Sequence, residues 1–268
     1  MEKVDILVLV LAGDTKLSNR NLKAQQSTWM KSQNNLKILT YSGSNFLDYD
    51  GSHLTVISDD GYSELSYKTL KSFEWVDKNI DFNFLFRTNT SSYVDIEKLI
   101  KFCKTSNDSY LYRGKKITNF FNDEEIAYVS GAEILLSKNA FKLLLEKKDE
   151  WDTKLVDDVS IGKIFQDYKV PIKESSSIIF DNSFFKLKTF NNEYHFRCRV
   201  DSPYYFPRFI EKYLIKYIHL ELNKKNINSL KRLIYFSCFN LSRIFAFNKH
   251  YDLLTYYLFK LAKKLFKK

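Results

Sequence analysis

Val4-Asp5-Ile6-Leu7-Val8-Leu9-Val10-Leu11-Ala12-Gly13-Asp14 decides the fold class. Its β-branched and aliphatic core has no polar alternation, as expected of a strand buried on both faces. The run Ile6 to Ala12 is too short and too acidic at its start for a signal-peptide core, and Gly13-Asp14 follows without a small-x-small cleavage site. A polar loop and an amphipathic segment from Asn21 to Lys31 come next, so the opening reads strand, loop, helix. Leu36 to Tyr41, His53 to Ser58 and Phe82 to Arg87 repeat the short apolar pattern, with a long helical pattern from Ser63 to Asn79 between the last two. Such alternation predicts an α/β fold with a mostly parallel sheet covered by helices. Ligands of these folds sit at the carboxyl ends of the strands, here Ala12-Gly13, Ser58 to Asp60 and Thr88 to Ser92.

Composition narrows the class further. The chain has 268 residues, 44% hydrophobic and 16% aromatic, with only seven Gly and three Pro, which excludes disordered, collagen-like and low-complexity readings. Cys103, Cys198 and Cys238 form neither an even set nor a CxxC pair, so a reducing cytosol is expected rather than a disulfide framework or a zinc site. No GxGxxG, P-loop or HExxH is present. No apolar stretch reaches the ~20 residues needed to span a bilayer, because Arg243 and Lys249 interrupt the best candidate.

Charge divides the chain. Residues 1 to 200 carry 28 Lys and Arg against 28 Asp and Glu, whereas 201 to 268 carry 14 against 4, so the net charge of +10 resides in the C-terminal part. That part opens with Pro203 and Pro207 and reads as helices over 209 to 222, 227 to 247 and 251 to 268. We therefore expect an α/β domain over 1–200 and a basic amphipathic helical extension over 201–268. Its last helix separates Leu254, Leu258, Leu261, Leu265 and Phe266 from Lys260, Lys263, Lys264, Lys267 and Lys268. A basic amphipathic helix suits an anionic membrane surface, and docking on the core is the alternative. Nucleic acid is not expected as a partner, since no binding motif is present and the aromatics fall on the apolar face.

Four segments carry a family resemblance. Asp60-Gly61-Tyr62-Ser63-Glu64-Leu65-Ser66-Tyr67-Lys68-Thr69-Leu70 resembles the D-x-Y-x-N-L-T-x-K-T-L element of the β-1,3-galactosyltransferase and Fringe family, glycosyltransferase family 31. Arg20 to Trp29 resembles its R-x-x-x-R-x-T-W, with Gln26 replacing the second arginine. Tyr128-Val129-Ser130-Gly131 resembles its Y-x-S-G, and Asp157-Asp158-Val159-Ser160-Ile161-Gly162 its [ED]-D-V-x-x-G. The order and spacing agree over about residues 4 to 165. The resemblance implies a GT-A core, a nucleotide-sugar donor such as a UDP-hexose or UDP-N-acetylhexosamine, and inversion at the anomeric carbon with Asp158 as base and Asp157 beside it. Where the family carries an acidic D-x-D cluster for a divalent metal, this chain has Asn89-Thr90-Ser91, neutral oxygen ligands that hold Mn²⁺ or Mg²⁺ weakly.

Without a metal the leaving diphosphate needs fixed cations. Tyr194-His195-Phe196-Arg197-Cys198-Arg199 supplies His195, Arg197 and Arg199 on one face of an extended segment. The resemblance also allows His195 as a residual metal ligand. Arg87, Asn89, Ser91 and Gly131 are further donor-binding candidates, and Asp60 and Lys68 either touch the nucleotide or pair with each other beneath the site. Asp157 and Asp158 have a plainer alternative as caps of the helix that follows. Lys-, Asn- and Ile-rich composition without an N-terminal anchor points to a bacterial or viral enzyme on the cytosolic face of a membrane. Its expected acceptor is a glycan or glycolipid of surface lipooligosaccharide or capsule synthesis; the rival is an inactive scaffold of the same fold.

Overall fold

The computed structural model describes residues 1–33, 35–61, 63–121, 123–175, 178–179, 193–199, 208–223, 233–234 and 236–237. The expected strands appear as β1 (Glu2–Leu11), β2 (Leu36–Ser44), β4 (His53–Ile57) and β5 (Ile80–Asn89), with β3 (Asp48–Tyr49) at the edge. They pair in the order β5-β1-β2-β4 with all three contacts parallel. On the other side β10 (Ile134–Ser137) runs antiparallel between β5 and β7 (Tyr112–Gly114), and β11 (Ile172–Glu174) pairs with β7. The fold is thus mixed α/β around one large, mostly parallel sheet.

Side-chain alternation along β1 explains the layers. Ile6, Val8 and Val10 face one core with Ala24, Trp29, Phe86 and Leu99, while Leu7 and Leu9 face a second core with Phe73, Val76, Phe141 and Ile164. Each such fully buried aliphatic side chain contributes about 1.5–3 kcal/mol, which is why the run is apolar on both faces. The first face is covered by α1 (Lys16–Gln26) and α3 (Ile96–Thr105), the second by α2 (Leu65–Asn79), α4 (Lys138–Glu146) and α5 (Asp157–Asp167). Helix α1 starts earlier than the apolar spacing over 21 to 31 predicted. Thr15 caps it by accepting from the Ser18 amide at 3.1 Å, and the chain leaves the helix at Ser27.

A small sheet joins β6 (Ser92–Val94) to β13 (His195–Arg197) and β12 (Ile178–Ile179), and a hairpin pairs β8 (Lys116–Phe121) with β9 (Glu124–Val129). The hairpin lies against α5 through a close approach at Gly162: a Cβ there would sit 2.2 Å from Tyr128 Cβ and 2.9 Å from the Ala127 carbonyl oxygen. Gly162→Ala is therefore expected to push α5, with Asp157 and Asp158 at its first turn, off the hairpin. A loss of about 1–3 kcal/mol, read as a lower melting temperature, is the expected cost of that overpacking.

The basic segment's first helix is α6 (Glu211–Leu222), close to the predicted 209 to 222. Leu214, Ile215, Tyr217 and Ile218 are buried in the same core as β1, β5 and α1. The predicted helices over 227 to 247 and 251 to 268, and Cys238, lie outside the described residues apart from 233–234 and 236–237. No helix among the described residues is long and apolar enough to cross a membrane.

Candidate functional site

A cleft of about 590 Å³ opens at the carboxyl ends of β1, β4 and β5, the place the strand order predicts. The strand β5 ends at Asn89, and the chain turns through Thr90 and Ser91 into β6. Gln25, from α1, fixes this turn by donating Nε2 to the carbonyls of Asn89 at 3.0 Å and Ser92 at 2.7 Å. That is a concrete duty for the segment Arg20 to Trp29, whose Trp29 ring is buried in the first core.

Asp158 stands in the first turn of α5 and lines the cleft. Its Oδ2 accepts from the Gly131 amide at 2.8 Å and its Oδ1 from the Val159 amide at 3.0 Å. Burial raises its pKa first and the adjacent Asp157 carboxylate raises it further, while the two amides and Arg87 pull it down, leaving it at about 6. A carboxylate tuned to this range is ionised at neutral pH and still basic enough to receive a proton in a transition state. Gly131 is required by the close approach: a Cβ would lie 2.6 Å from Arg87 Nη1 and 3.1 Å from Asp158 Oδ2.

Asp157 points the other way. It is 1% exposed and forms a buried ion pair with Arg87, itself 2% exposed. Thr69 Oγ1 donates to Asp157 Oδ2 at 2.9 Å, and Arg87 Nε donates to the Tyr41 hydroxyl at 3.2 Å. Burial alone would disfavour the Arg87 charge, but Asp157 outweighs it and holds the guanidinium charged above its ordinary range. Arg87 therefore reaches the cleft wall as a group already committed beneath it. Asp60 and Lys68 likewise pair with each other, and Asp60 also accepts from the amides of Gly43 at 3.1 Å and Asp14 at 2.6 Å. Burial raises the Asp60 pKa, yet Lys68 and these amides bring it below the usual carboxylate range.

The strand β13 sends Phe196 into the first core and presents His195 and Arg197 to the cleft, with Arg199 lining it beyond. Arg197 Nη1 donates to Asn89 Oδ1 at 2.9 Å and to Ser91 Oγ at 3.1 Å. Asn89 Oδ1 also accepts from the Ser91 amide and hydroxyl. The loop where a divalent cation would be expected thus has its side-chain amide oxygen saturated and facing a guanidinium, whose charge would repel a metal ion. These residues do not fit Mn²⁺ or Mg²⁺. His195 is 1% exposed, its Nε2 lies 2.9 Å from Ser92 Oγ and its Nδ1 3.4 Å from Glu133 Oε2. Both ring nitrogens thus face protein groups, and a two-residue His–Glu set is no metal centre. Among the described residues no cluster of three or more His, Cys, Asp and Glu could hold one.

Glu133 and Arg208 are among the cleft residues that escaped the sequence reading. Glu133 follows the Tyr-x-Ser-Gly segment, is fully buried, and neither carboxylate oxygen makes a hydrogen bond among the described residues, Oε2 lying 3.4 Å from His195 Nδ1. Its signal was a lone acid opening the apolar run Ile134 to Leu136. Arg208 enters the cleft from just before α6, inside the segment expected to stand apart.

No protein-family model matches the chain, and no curated protein matches it in sequence. Among solved structures, the mannosyltransferase PcManGT from Pyrobaculum calidifontis, in complex with GDP-Man and Mn²⁺, is 10% identical with a TM-score of 0.45, covering 99% of this chain and 81% of its own. The glycosyltransferase GlyE from Streptococcus pneumoniae is 14% identical with a TM-score of 0.37, covering 64% of this chain and 45% of its own. The bifunctional IspDF from Campylobacter jejuni is 15% identical with a TM-score of 0.35, covering 66% and 50%. The chain thus spans about half the length of the latter two proteins.

Proposed function

We propose that the protein is an inverting, metal-independent GT-A glycosyltransferase that moves a hexose or N-acetylhexosamine from a UDP-sugar to a hydroxyl of a glycan or glycolipid acceptor. The observation that carries this reading is Asp158: a carboxylate of pKa about 6, held by two backbone amides in a cleft that Arg197 and Arg199 also line. In this reading Asp158 takes the proton of the acceptor hydroxyl as that oxygen attacks the anomeric carbon. The diphosphate leaves from the opposite face of the sugar, so the configuration inverts. Its developing charge falls on Arg197 and Arg199, arginine forks suiting phosphate oxygens. Arg197 takes over the neutralising part that a cation would play on the Asn89–Ser91 loop. His195 supports the loop through Ser92, and Asp60 and Lys68 shape the cleft beside Gly13.

The residue pattern and basic C-terminal segment further support work at the cytosolic face of a bacterial membrane, on lipooligosaccharide or capsule precursors, with residues 201–268 against anionic lipid. The test is a donor screen. Purified protein is incubated with UDP-, GDP- and CMP-sugars, with Mn²⁺ or with EDTA, and nucleotide release is measured with membrane lipid extract as acceptor. Release of UDP that is unchanged by EDTA is expected. Turnover that requires Mn²⁺ overturns the metal-independent part. Absence of turnover and of nucleotide stabilisation across the panel leaves a scaffold of this fold.

A further inference from the structure

Arg208 sits near the start of the basic segment 201–268, just after the charge-balanced residues 1–200. Its Nε donates to Glu211 Oε1 at 2.8 Å, and its side chain is 28% exposed while that of Glu211 is fully buried. Glu211 in turn accepts from Asn21 Nδ2 on α1 at 2.7 Å through Oε2. A buried carboxylate with two such donors is a fixed anchor: it holds the guanidinium by its inner nitrogen and leaves the outer edge directed elsewhere. Among the described residues neither terminal amino group of Arg208 has a partner, and the residue lines the same cleft as Arg197, Arg199 and Lys115. An arginine oriented by one edge and open along the other is suited to two phosphate oxygens.

We propose that Arg208 is a phosphate-binding residue of the cleft, with Glu211 and Asn21 as its positioning residues. This rests on the transferase reading for the identity of the cleft, but not for the chemistry of the site. The basic segment then contributes a residue to the binding site. The phosphate has two possible sources, the diphosphate of a nucleotide donor or that of a polyprenyl-linked acceptor.

The experiment uses the full chain, wild type against Arg208→Gln, Arg208→Lys, Glu211→Gln and the double variant Arg208→Gln/Glu211→Gln. The double variant guards against misfolding, because it removes the buried carboxylate together with its cation. Affinities are measured for uridine, UDP, GDP, inorganic pyrophosphate, and vesicles carrying polyprenyl diphosphate against vesicles of the same lipid without it. Loss of one charge-assisted contact weakens diphosphate binding about tenfold in Arg208→Gln, less in Arg208→Lys, with uridine unaffected. Glu211→Gln is expected to weaken UDP or pyrophosphate binding at unchanged uridine affinity, a selectivity that a purely structural residue would not show. A loss confined to UDP assigns the donor as source, and one confined to the polyprenyl vesicles assigns the acceptor. Equal affinity of wild type and Arg208→Gln for every phosphate probe overturns the proposal. Wild type that binds pyrophosphate or the polyprenyl vesicles through Arg208, but no nucleotide, removes the transferase reading and leaves the phosphate site standing. Wild type that binds none of the probes removes both.

Discussion

Asp158→Asn is expected to lower turnover by about 10²–10⁴-fold, the range of a lost general base, with nucleotide-sugar affinity unchanged. The amide keeps one acceptor oxygen for the Gly131 or Val159 N–H, so the turn between β9 and β10 retains an anchor on α5. What disappears is the capacity to take a proton. The pH profile separates this from misplacement of substrate. The base must be ionised to act, so wild-type turnover should rise with pH through about 6 and level off above it. The limb should be absent from the residual activity of Asp158→Asn. Stability runs with the opposite sign. A carboxyl whose pKa is raised by folding favours the folded state below its unfolded value of about 4, and that contribution is lost as pH rises through about 6. Asp158→Asn should therefore compare best with wild type in thermal melts at pH 7 to 8, and lose that relative advantage as pH falls towards 5. A profile limb near 6 that persists in the variant would assign the titration to another group.

The sequence disclosed those features that rest on local chemistry. The doubly buried β1, the three strands β2, β4 and β5 that run parallel with it in the sheet, and the helix over 65–79 follow from apolar runs and their period. His195, Arg197 and Arg199, spaced two apart in the sequence, all line the cleft, the first two from β13 and the third beyond its end. Partner identity was hidden, because it depends on contacts across the chain. Asp157 and Asp158 are adjacent in sequence and look alike, yet the helix turns one towards Arg87, from β5, and the other towards Gly131. Arg87 reads as a strand-end cation, and only its burial against Asp157 and Tyr41 shows where its charge is used. Arg208 was concealed for a different reason: the charge step at residue 200 suggested separation, whereas Asn21 and Glu211 tie α1 to α6 across 190 positions of sequence.

The Arg87–Asp157 pair gives the largest expected effect on the fold. Arg87→Met leaves Asp157 in the core with the Thr69 hydroxyl still donating to it but no cation beside it, and an uncompensated buried charge costs about 3–5 kcal/mol. For a chain of this size the melting temperature should fall on the order of 10 °C. Arg87→Met combined with Asp157→Leu should recover much of that loss, since apolar groups of similar volume often replace a buried pair without penalty. Activity supplies a second, independent readout. Arg87 is one of the groups holding the Asp158 pKa down and Asp157 one of those pushing it up, so removing the cation alone should move the acidic limb of the pH–rate profile above 6. Removing both charges should bring the limb back down. A destabilised Arg87→Met whose limb stays at its wild-type position would show that the pair supports the fold without tuning the base.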